Sequence, residues 1–490
     1  MRRQLFRLSV LLATFCLSGL SAQSAPPSEG GCFSIVVGKD VSTTGFVTMA
    51  HNEDDGNPQV VNHHYVPRQT HPPGAMVKLD SALPLEQVPE TWAYLWSEIP
   101  GLLYSDSYVN EWGVCVCSDA CRSREDQPSL DGDGINWWLR RLVAERARSA
   151  REGVRLAGQL IERFGYSGSG RTYVICDPQE GWLLAAVQGR HWVAQRVPDD
   201  QVALIANTYT IQTIDLTDSL NFLGSADVVS YATERGWYNA ASDGPFDFAR
   251  AYALPEAAGH PSNIGRRWDG VRRIAAQPPA YGDAIPFAVT PARKVDAPML
   301  MAILRSHFEG TPLYAADSLT GCPHSNPTGP ICGDDTQTSF VAELRGDMPK
   351  EIGLTYWACF SSPCLSCYIP FHFDPEVFPA HYTDAGLAPT IEEYTARTGS
   401  KFSIDSASAY WTFTSWRHHM SQRYGAVSAS VRDAFGAIEA DAGVRHATAV
   451  QEALRQWPHD PEGARRRLRE FSARVYRDAI GAMVYLTAQP

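Results

Sequence analysis

The stretch that decides the fold is GGCFSIVVGKDVSTTGFVTMAHNEDDG, residues 30–56. Two apolar runs in it, 33–37 and 46–50, predict β-strands, and the turn residues between them predict a connection longer than a tight hairpin. Cys32 stands directly before the first strand, and a polar cluster that begins at His51 follows the second. The stretch therefore predicts two strands with a single cysteine at the entry and carboxylates at the exit.

The first residues of the chain have the composition of an export signal. Three arginines surround the start, residues 8–20 form an apolar run, and small residues follow at 21–25. A run of 13 residues is too short to cross a bilayer comfortably. We therefore expect residues 1–24 to be a signal peptide and the mature chain to be secreted or periplasmic, without membrane association after signal removal. A membrane anchor and a buried first helix are the alternatives.

Composition limits the class of partner. The chain has 490 residues, 44% of them hydrophobic, and a formal net charge of −12. This acidic balance argues against a nucleic-acid partner. The length alone favours roughly two to four domains, although no low-complexity linker or repeat marks a boundary.

The cysteines of an exported chain favour disulfides. Of the eleven, Cys16 leaves with the signal and Cys32 stands apart; the other nine are Cys115, Cys117, Cys121, Cys176, Cys322, Cys332, Cys359, Cys364 and Cys367. We expect at least one disulfide and, since nine is odd, at least one free thiol. Structural zinc needs two well-spaced ligand pairs, which neither cysteine cluster supplies, so no metal and no cofactor are predicted. Zinc and buried free thiols stay open as alternatives.

Strand-like and helix-like segments are segregated along the chain. Helical spacing of apolar residues recurs over 135–164, and short apolar runs separated by turns over 172–205 predict an antiparallel meander. From about residue 407 the pattern is mostly helical. This segregation predicts a layered α+β fold.

A cysteine at the start of a mature chain carries its own base. Its α-amine titrates at about 7.7–8, so it can accept the thiol proton at working pH. For Cys32 to act in this way, residues 25–31 must be removed as a short propeptide. Their sequence, Ala-Pro-Pro-Ser-Glu-Gly-Gly, is polar and rich in proline and glycine. The alternative is that Cys32 is a strand residue paired in a disulfide.

Residues 32–45 and 50–54 resemble the opening of the C69 dipeptidase family. The segments 150–165, 181–182, 189–200, 206–207 and 363–370 resemble later parts of the same family. Its members are N-terminal-nucleophile cysteine hydrolases related to secernins and to the bile-salt hydrolase and penicillin V acylase group. The resemblance implies an α+β fold, a four-layer αββα sandwich, with residues 32–490 as one catalytic domain that ends in helices.

The resemblance also implies roles for individual residues. Cys32 matches the nucleophile, and Asp54 matches a carboxylate that holds the nucleophile's amine. His51 stands where the family usually has arginine. Since histidine is charged only below about 6.5, it cannot serve as a permanent cation there; a pocket donor and a strand-end residue are both open.

Further site residues follow from the same resemblance. Asn110 aligns with a donor to the oxyanion, and Asn207 aligns with a second pocket asparagine. An arginine that orients the nucleophile is matched loosely by Arg266 or Arg267. For each asparagine, a purely structural role at a strand end is the alternative.

The function predicted is hydrolysis of small amide bonds, with a small peptide as substrate and dipeptidase as the activity. A substrate with a free N-terminus needs an acid at the pocket rim, for which Glu53, Asp55 and Glu111 are available. An N-acyl amidase and a non-catalytic binding protein are the alternatives. A homo-oligomer is also possible.

Overall fold

The computed structural model describes residues 31–54, 59–79, 83–383 and 401–489, together with positions 396 and 399. The predicted signal peptide, residues 1–24, and the predicted propeptide apart from Gly31 lie outside the described residues.

In chain order, the strands are β1 (Phe33–Val37), β2 (Thr48–Asp54), β3 (Asn62–Val66), β4 (Gln69–Thr70), β5 (Met76–Lys78), β6 (Pro84–Glu86), β7 (Glu90–Thr91), β8 (Tyr94–Glu98), β9 (Ser107–Asn110), β10 (Cys115–Ala120), β11 (Arg171–Cys176), β12 (Gly181–Ala186), β13 (Trp192–Arg196), β14 (Val202–Ile205), β15 (Phe222–Gly224), β16 (Ala288–Val289), β17 (Thr336–Leu344), β18 (Leu354–Phe360) and β19 (Ile369–His372). The helices are α1 (Trp138–Arg146), α2 (Ala150–Phe164), α3 (Val228–Glu234), α4 (Phe248–Tyr252), α5 (Pro255–Ala258), α6 (Pro261–Ile274), α7 (Ala297–Leu304), α8 (Lys350–Gly353), α9 (Ala380–Thr383), α10 (Ala409–Ser421), α11 (Tyr424–Gln456) and α12 (Pro461–Thr487).

Two large antiparallel sheets form the centre of the molecule. One has seven strands in the order β16-β14-β1-β2-β17-β18-β19, and the other has eight in the order β15-β13-β12-β11-β10-β9-β8-β3. The strands predicted at 33–37 and 46–50 pair as β1 and β2, with Phe33 opposite Asn52 and Val37 opposite Thr48. Because the pair is antiparallel, the start of β1 and the end of β2 meet at one edge.

The predicted meander is correct for three of its four runs. β11, β12 and β13 are neighbours in the eight-stranded sheet, whereas β14 crosses to the other sheet and pairs with β1. The position of the chain as it crosses is set by a close contact between the backbone of residues 198–201 and Gly38. A Cβ on residue 38 would lie 2.4 Å from the Asp199 carbonyl oxygen. Only glycine permits this approach.

Helices cover the outer faces of both sheets. α1 and α2 pack on β9 to β13, while α6, α7, α10 and α12 contact the seven-stranded sheet. The arrangement is therefore a four-layer αββα sandwich, and both the α+β class and the helical C-terminal region are confirmed. Within the described part of the chain, no helix combines the length and the apolar character needed to span a membrane.

The faces of β1 differ in what they contact. Phe33 lies against Gly270 of α6, on the helical side. Ser34 bonds to Asp119 of β10, and Val36 lies against Gly181 of β12, so both face the other sheet. Because side chains alternate along a strand, Cys32 at the entry of β1 shares the side of Ser34, between the sheets.

The expected disulfide is wrong: all ten cysteines from Cys32 onward are free thiols in this structure. Cys115 and Cys117 lie on one face of β10, two residues apart along the strand. Because the two side chains are parallel, their Cβ atoms, like their Cα atoms, are about 6.6 Å apart, well beyond the roughly 3.8 Å that separates the Cβ atoms of a disulfide.

Candidate active site

Cys32 is buried at the junction of the two central strands. Its side chain is 2% exposed, and its Sγ lies 3.3 Å from the Asp54 carbonyl oxygen, to which the thiol donates. Burial raises the pKa of the Cys32 thiol well above its ordinary value, and the carboxylates of Glu53, Asp119 and Asp54 raise it further. With Gly31 still attached, the thiol is therefore held in its protonated, weakly nucleophilic form.

Asp54 flanks the peptide bond that precedes Cys32. A Cβ built on Gly31 would lie 2.7 Å from Asp54 Oδ2, so the carboxylate rests against the Gly31 backbone. Loss of Gly31 would replace this peptide nitrogen by the α-ammonium of Cys32. The structure thus places a carboxylate beside the position that a free N-terminus would occupy.

Arg266 is the arginine that reaches the site. It lies on α6 and is 1% exposed; its Nη1 donates to the Cys32 carbonyl at 2.7 Å and also to the Gly31 carbonyl. The neighbouring Arg267 donates instead to the carbonyls of Leu204 and Pro286. Successive residues of a helix face directions about 100° apart, which is why only one of the two can serve.

Asn207 completes the group around Cys32. Its Oδ1 accepts a hydrogen bond from Arg266 Nη1 at 2.8 Å, and its Nδ2 donates to the Ala120 carbonyl at 3.0 Å. The φ angle of Asn207 is 51°, a left-handed conformation that asparagine tolerates better than most residues. Non-glycine residues held in this region occur often at functional sites.

Asn110 is not part of this group. Its Nδ2 donates to the carbonyls of Ala144 and Ala147 at 2.9 and 2.8 Å, and its Oδ1 accepts from the backbone N–H groups of Trp112 and Val114. Both amide hydrogens are thus committed to the end of α1. Asn110 lies next to the start of β10, because the preceding residue, Val109, pairs with Cys115. Asn207 contacts Ala120, at the opposite end of the same strand. We therefore correct the expectation that Asn110 donates to an oxyanion.

A second buried network lies behind Cys32. Ser34 Oγ donates to Asp119 Oδ2 at 2.6 Å and lies 2.8 Å from His51 Nδ1, whose ring in turn contacts Glu53 through Nε2 at 2.7 Å. Burial lowers the pKa of His51 and raises that of Asp119. His51 is thus a buried member of this network in the middle of β2, neither a strand-end residue nor a permanent cation.

This network was missed by sequence reasoning, although a signal exists. Ser34 is the second residue after Cys32, and its partner across the β1–β2 pair is His51. Alternation along adjacent strands therefore places all three on the same side of the sheet.

The three candidate acids for the pocket rim have different fates. Glu53 is only 3% exposed and contacts His51, so it lies inside rather than at a rim. Glu111 accepts two hydrogen bonds from Arg68, at 3.0 and 2.9 Å. It is the residue after Asn110 and, like Asn110, lies outside the group around Cys32. Asp55 lies outside the described residues.

Comparisons with known proteins point to one family. The family model described as Peptidase family C69 matches residues 31–435. A probable dipeptidase of Salmonella dublin is 27% identical over 358 residues, covering 70% of this chain and 80% of that protein. A dipeptidase of Bifidobacterium longum (strain NCC 2705) is 25% identical over 405 residues, covering 74% and 75%.

Among solved structures, a mutant of conjugated bile acid hydrolase from Clostridium perfringens is 12% identical, covers 67% of this chain and 89% of its own, and has a TM-score of 0.32. A likeness at that TM-score indicates nothing about the site.

Proposed function

Because this chain belongs to peptidase family C69, we propose that it is a dipeptidase whose nucleophile is the thiol of an N-terminal Cys32. The relatives named dipeptidase support the substrate class, a small peptide. The observation that carries the mechanism is that Asp54 and Arg266 both contact the Gly31–Cys32 junction, while Asn207 is held beside it through Arg266. This arrangement supports the proposal that maturation cleaves the bond before Cys32.

Maturation converts a latent thiol into an active one. Before cleavage, burial and three nearby carboxylates hold the thiol pKa high. Cleavage before Cys32 creates an α-amine beside the thiol, and the ammonium form of that amine stabilises the thiolate. Asp54 holds the amine in place and favours its charged form. Arg266 keeps the Cys32 carbonyl fixed, so the nucleophile does not move when the preceding residues leave.

The chemistry then uses groups already in place. The α-amine takes the thiol proton, Sγ attacks the carbonyl carbon of the scissile amide, and the carbonyl oxygen becomes an oxyanion. One Asn207 N–H donates to Ala120, and the other is available to the oxyanion. The proton passes from the ammonium to the leaving amine, which breaks the C–N bond and leaves a thioester. Water, deprotonated by the same amine, hydrolyses the thioester and returns the proton to Sγ.

Where the enzyme works is a separate proposal. The composition of residues 1–24 supports export, so we propose a secreted or periplasmic enzyme. The net charge of −12 supports the absence of a nucleic-acid partner. A homo-oligomer stays a prediction.

The test is a substrate panel with a matched pair of cysteine variants. Purified mature protein is assayed on dipeptides, on N-acyl amino acids and on bile-salt conjugates. We expect dipeptide hydrolysis, its loss in Cys32→Ala, and its retention in Cys367→Ser, which alters another buried free thiol. Hydrolysis of only the N-acyl substrates would replace the dipeptidase by an amidase, and full activity of Cys32→Ala would refute the proposed nucleophile.

A further inference from the structure

A group of soft and borderline metal ligands lies outside the catalytic group. One ligand atom each from His307, His324, Cys332 and Cys364 lies within 4.8 Å of all the others, and all four residues are buried. They are separated in sequence by 16, 7 and 31 residues. This spacing does not resemble a zinc-finger pattern. The positions of the cysteines in the sequence therefore did not predict a metal site.

The distances within the group suit a tetrahedral ion. His324 Nε2 lies 3.0 Å from Cys364 Sγ and 3.9 Å from Cys332 Sγ. Two ligands of a tetrahedral zinc ion, bound at about 2.0–2.3 Å, are about 3.3–3.8 Å apart. The two observed N–S distances lie just below and just above this range. Small side-chain shifts would therefore allow these atoms to coordinate one ion.

His307 supplies an independent observation. Its ring is fully buried, yet its Nε2 makes no hydrogen bond of ordinary length and angle with the described residues. On the opposite side of the ring, Nδ1 lies 3.0 Å from Glu309 Oε1. A carboxylate in that position accepts a hydrogen bond from Nδ1–H, which leaves the lone pair on Nε2, the arrangement typical of a metal-bound histidine.

Three of the four residues lie in one long connection. Between α7 and β17 the chain runs through residues 305–335 without a helix or a strand. A structureless connection of this length is unusual in a compact domain. Cys364, in the 3₁₀ helix Pro363–Leu365, belongs to the seven-stranded sheet's connection between β18 and β19, so an ion held by all four would fasten this segment to that sheet.

The same segment packs against the proposed catalytic strand. Asn52 Nδ2 donates to the carbonyls of Ile331 and Leu304, and a Cβ on Gly333 would lie 3.5 Å from Asp54 Oδ2. Cys332 thus lies between Ile331 and Gly333, which both contact β2. An ion bound to Cys332 would also hold in place the backbone that packs against Asp54.

We propose that His307, His324, Cys332 and Cys364 bind one Zn²⁺ ion that tethers this segment. Four protein ligands leave no open position, so the ion is structural and takes no part in hydrolysis. One of the four residues, Cys364, borders a cavity of about 440 Å³ that is also lined by Glu309 and by Arg273, Arg305 and Arg432. The inference is independent of the dipeptidase proposal, because it requires neither maturation nor turnover.

The experiment measures metal and thiols on the same intact protein. Full-length chain, purified without chelators or metal-affinity resin, is analysed by elemental mass spectrometry, and the cobalt-substituted protein is examined by absorption spectroscopy. We expect one zinc per chain and a thiolate-to-cobalt charge-transfer band. Cys364→Ser and His307→Ala should lose the stoichiometric metal, whereas the control Cys367→Ser should keep it.

The outcomes decide the matter even if a variant does not fold. Wild-type protein that is folded, contains no zinc and takes up none when it is supplied would overturn the proposal. A Cys332–Cys364 disulfide in the wild-type non-reducing peptide map would do the same. If the ligand variants aggregate, the metal content and cobalt spectrum of the wild type alone settle the question.

Discussion

Replacing Asn207 by glycine tests the proposed oxyanion donor without adding backbone strain. Glycine accepts the φ angle of 51° without strain, whereas alanine would add about 1 kcal/mol or more. The change removes the donor proposed for the oxyanion, which costs kcat about 10²–10³-fold. It also removes the hydrogen bonds to Ala120 and Arg266. At about 0.5–1.5 kcal/mol for the neutral bond and about 1.5–3 kcal/mol for the charged one, the free energy of unfolding falls by about 2 to 4.5 kcal/mol.

Asn110→Ala is the matched control. It removes four buried hydrogen bonds of 2.8–2.9 Å, so stability should fall by about 2 to 6 kcal/mol, comparable to the first variant. Because Asn110 is remote from Cys32, kcat per folded molecule should not change.

The assay is dipeptide hydrolysis at saturating substrate, normalised to active thiol by alkylation, with urea unfolding for stability. An unchanged kcat in Asn207→Gly would refute the oxyanion role. A kcat in Asn110→Ala that falls as far as that of the glycine variant would refute the correction made for Asn110.

Other perturbations test the remaining residues of the site and the core. Arg266→Lys should lose most activity, because an ammonium cannot reproduce the guanidinium's simultaneous bonds to Cys32 and Asn207, while Arg267→Lys should retain it; equal losses would contradict the assignment. Asp54→Asn should lower kcat and move the acidic limb of the pH–rate profile to lower pH, since Asp54 raises the pKa of the α-amine; an unmoved limb would refute this. Burial lowers the pKa of His63 from 6.5 to about 3, so below pH 6.5 the unfolded chain binds a proton that the folded chain excludes, and stability falls as pH decreases toward 3. Urea unfolding across this range should show a shallower loss in His63→Phe; an equal slope would contradict it.

The sequence pattern predicted the elements whose formation depends on neighbouring residues. The β1–β2 pair, the α+β layering and the helical C-terminal region follow from periodicity and turn residues. The apolar face of each element is visible as a regular spacing of apolar residues within one short segment. The crossing of β14 into the other sheet does not, since it depends on the close approach of residues 198–201 to Gly38. That contact joins segments about 160 residues apart.

The site divides in the same way. Cys32 precedes β1 and Asp54 ends β2, and the two lie together as the family resemblance implies. Their catalytic roles and that of Asn207 stay predictions. The choice of Arg266 over Arg267 required the orientation of α6, and Asn110 was misjudged because its four backbone partners come from α1 and the turn after β9. The proposed zinc ligands could not be found from the sequence, because His307, His324 and Cys332 become neighbours of Cys364 only when residues 305–335 fold onto the sheet.

The most direct test of the central claim is the N-terminal sequence and intact mass of the catalytically active species, with alkylation stoichiometry at Cys32 measured beside residual activity. We predict that active chains begin at Cys32 and that activity disappears in proportion to alkylation of that thiol. Full turnover by chains that retain residues 25–31, or by chains with Cys32 quantitatively blocked, would contradict it.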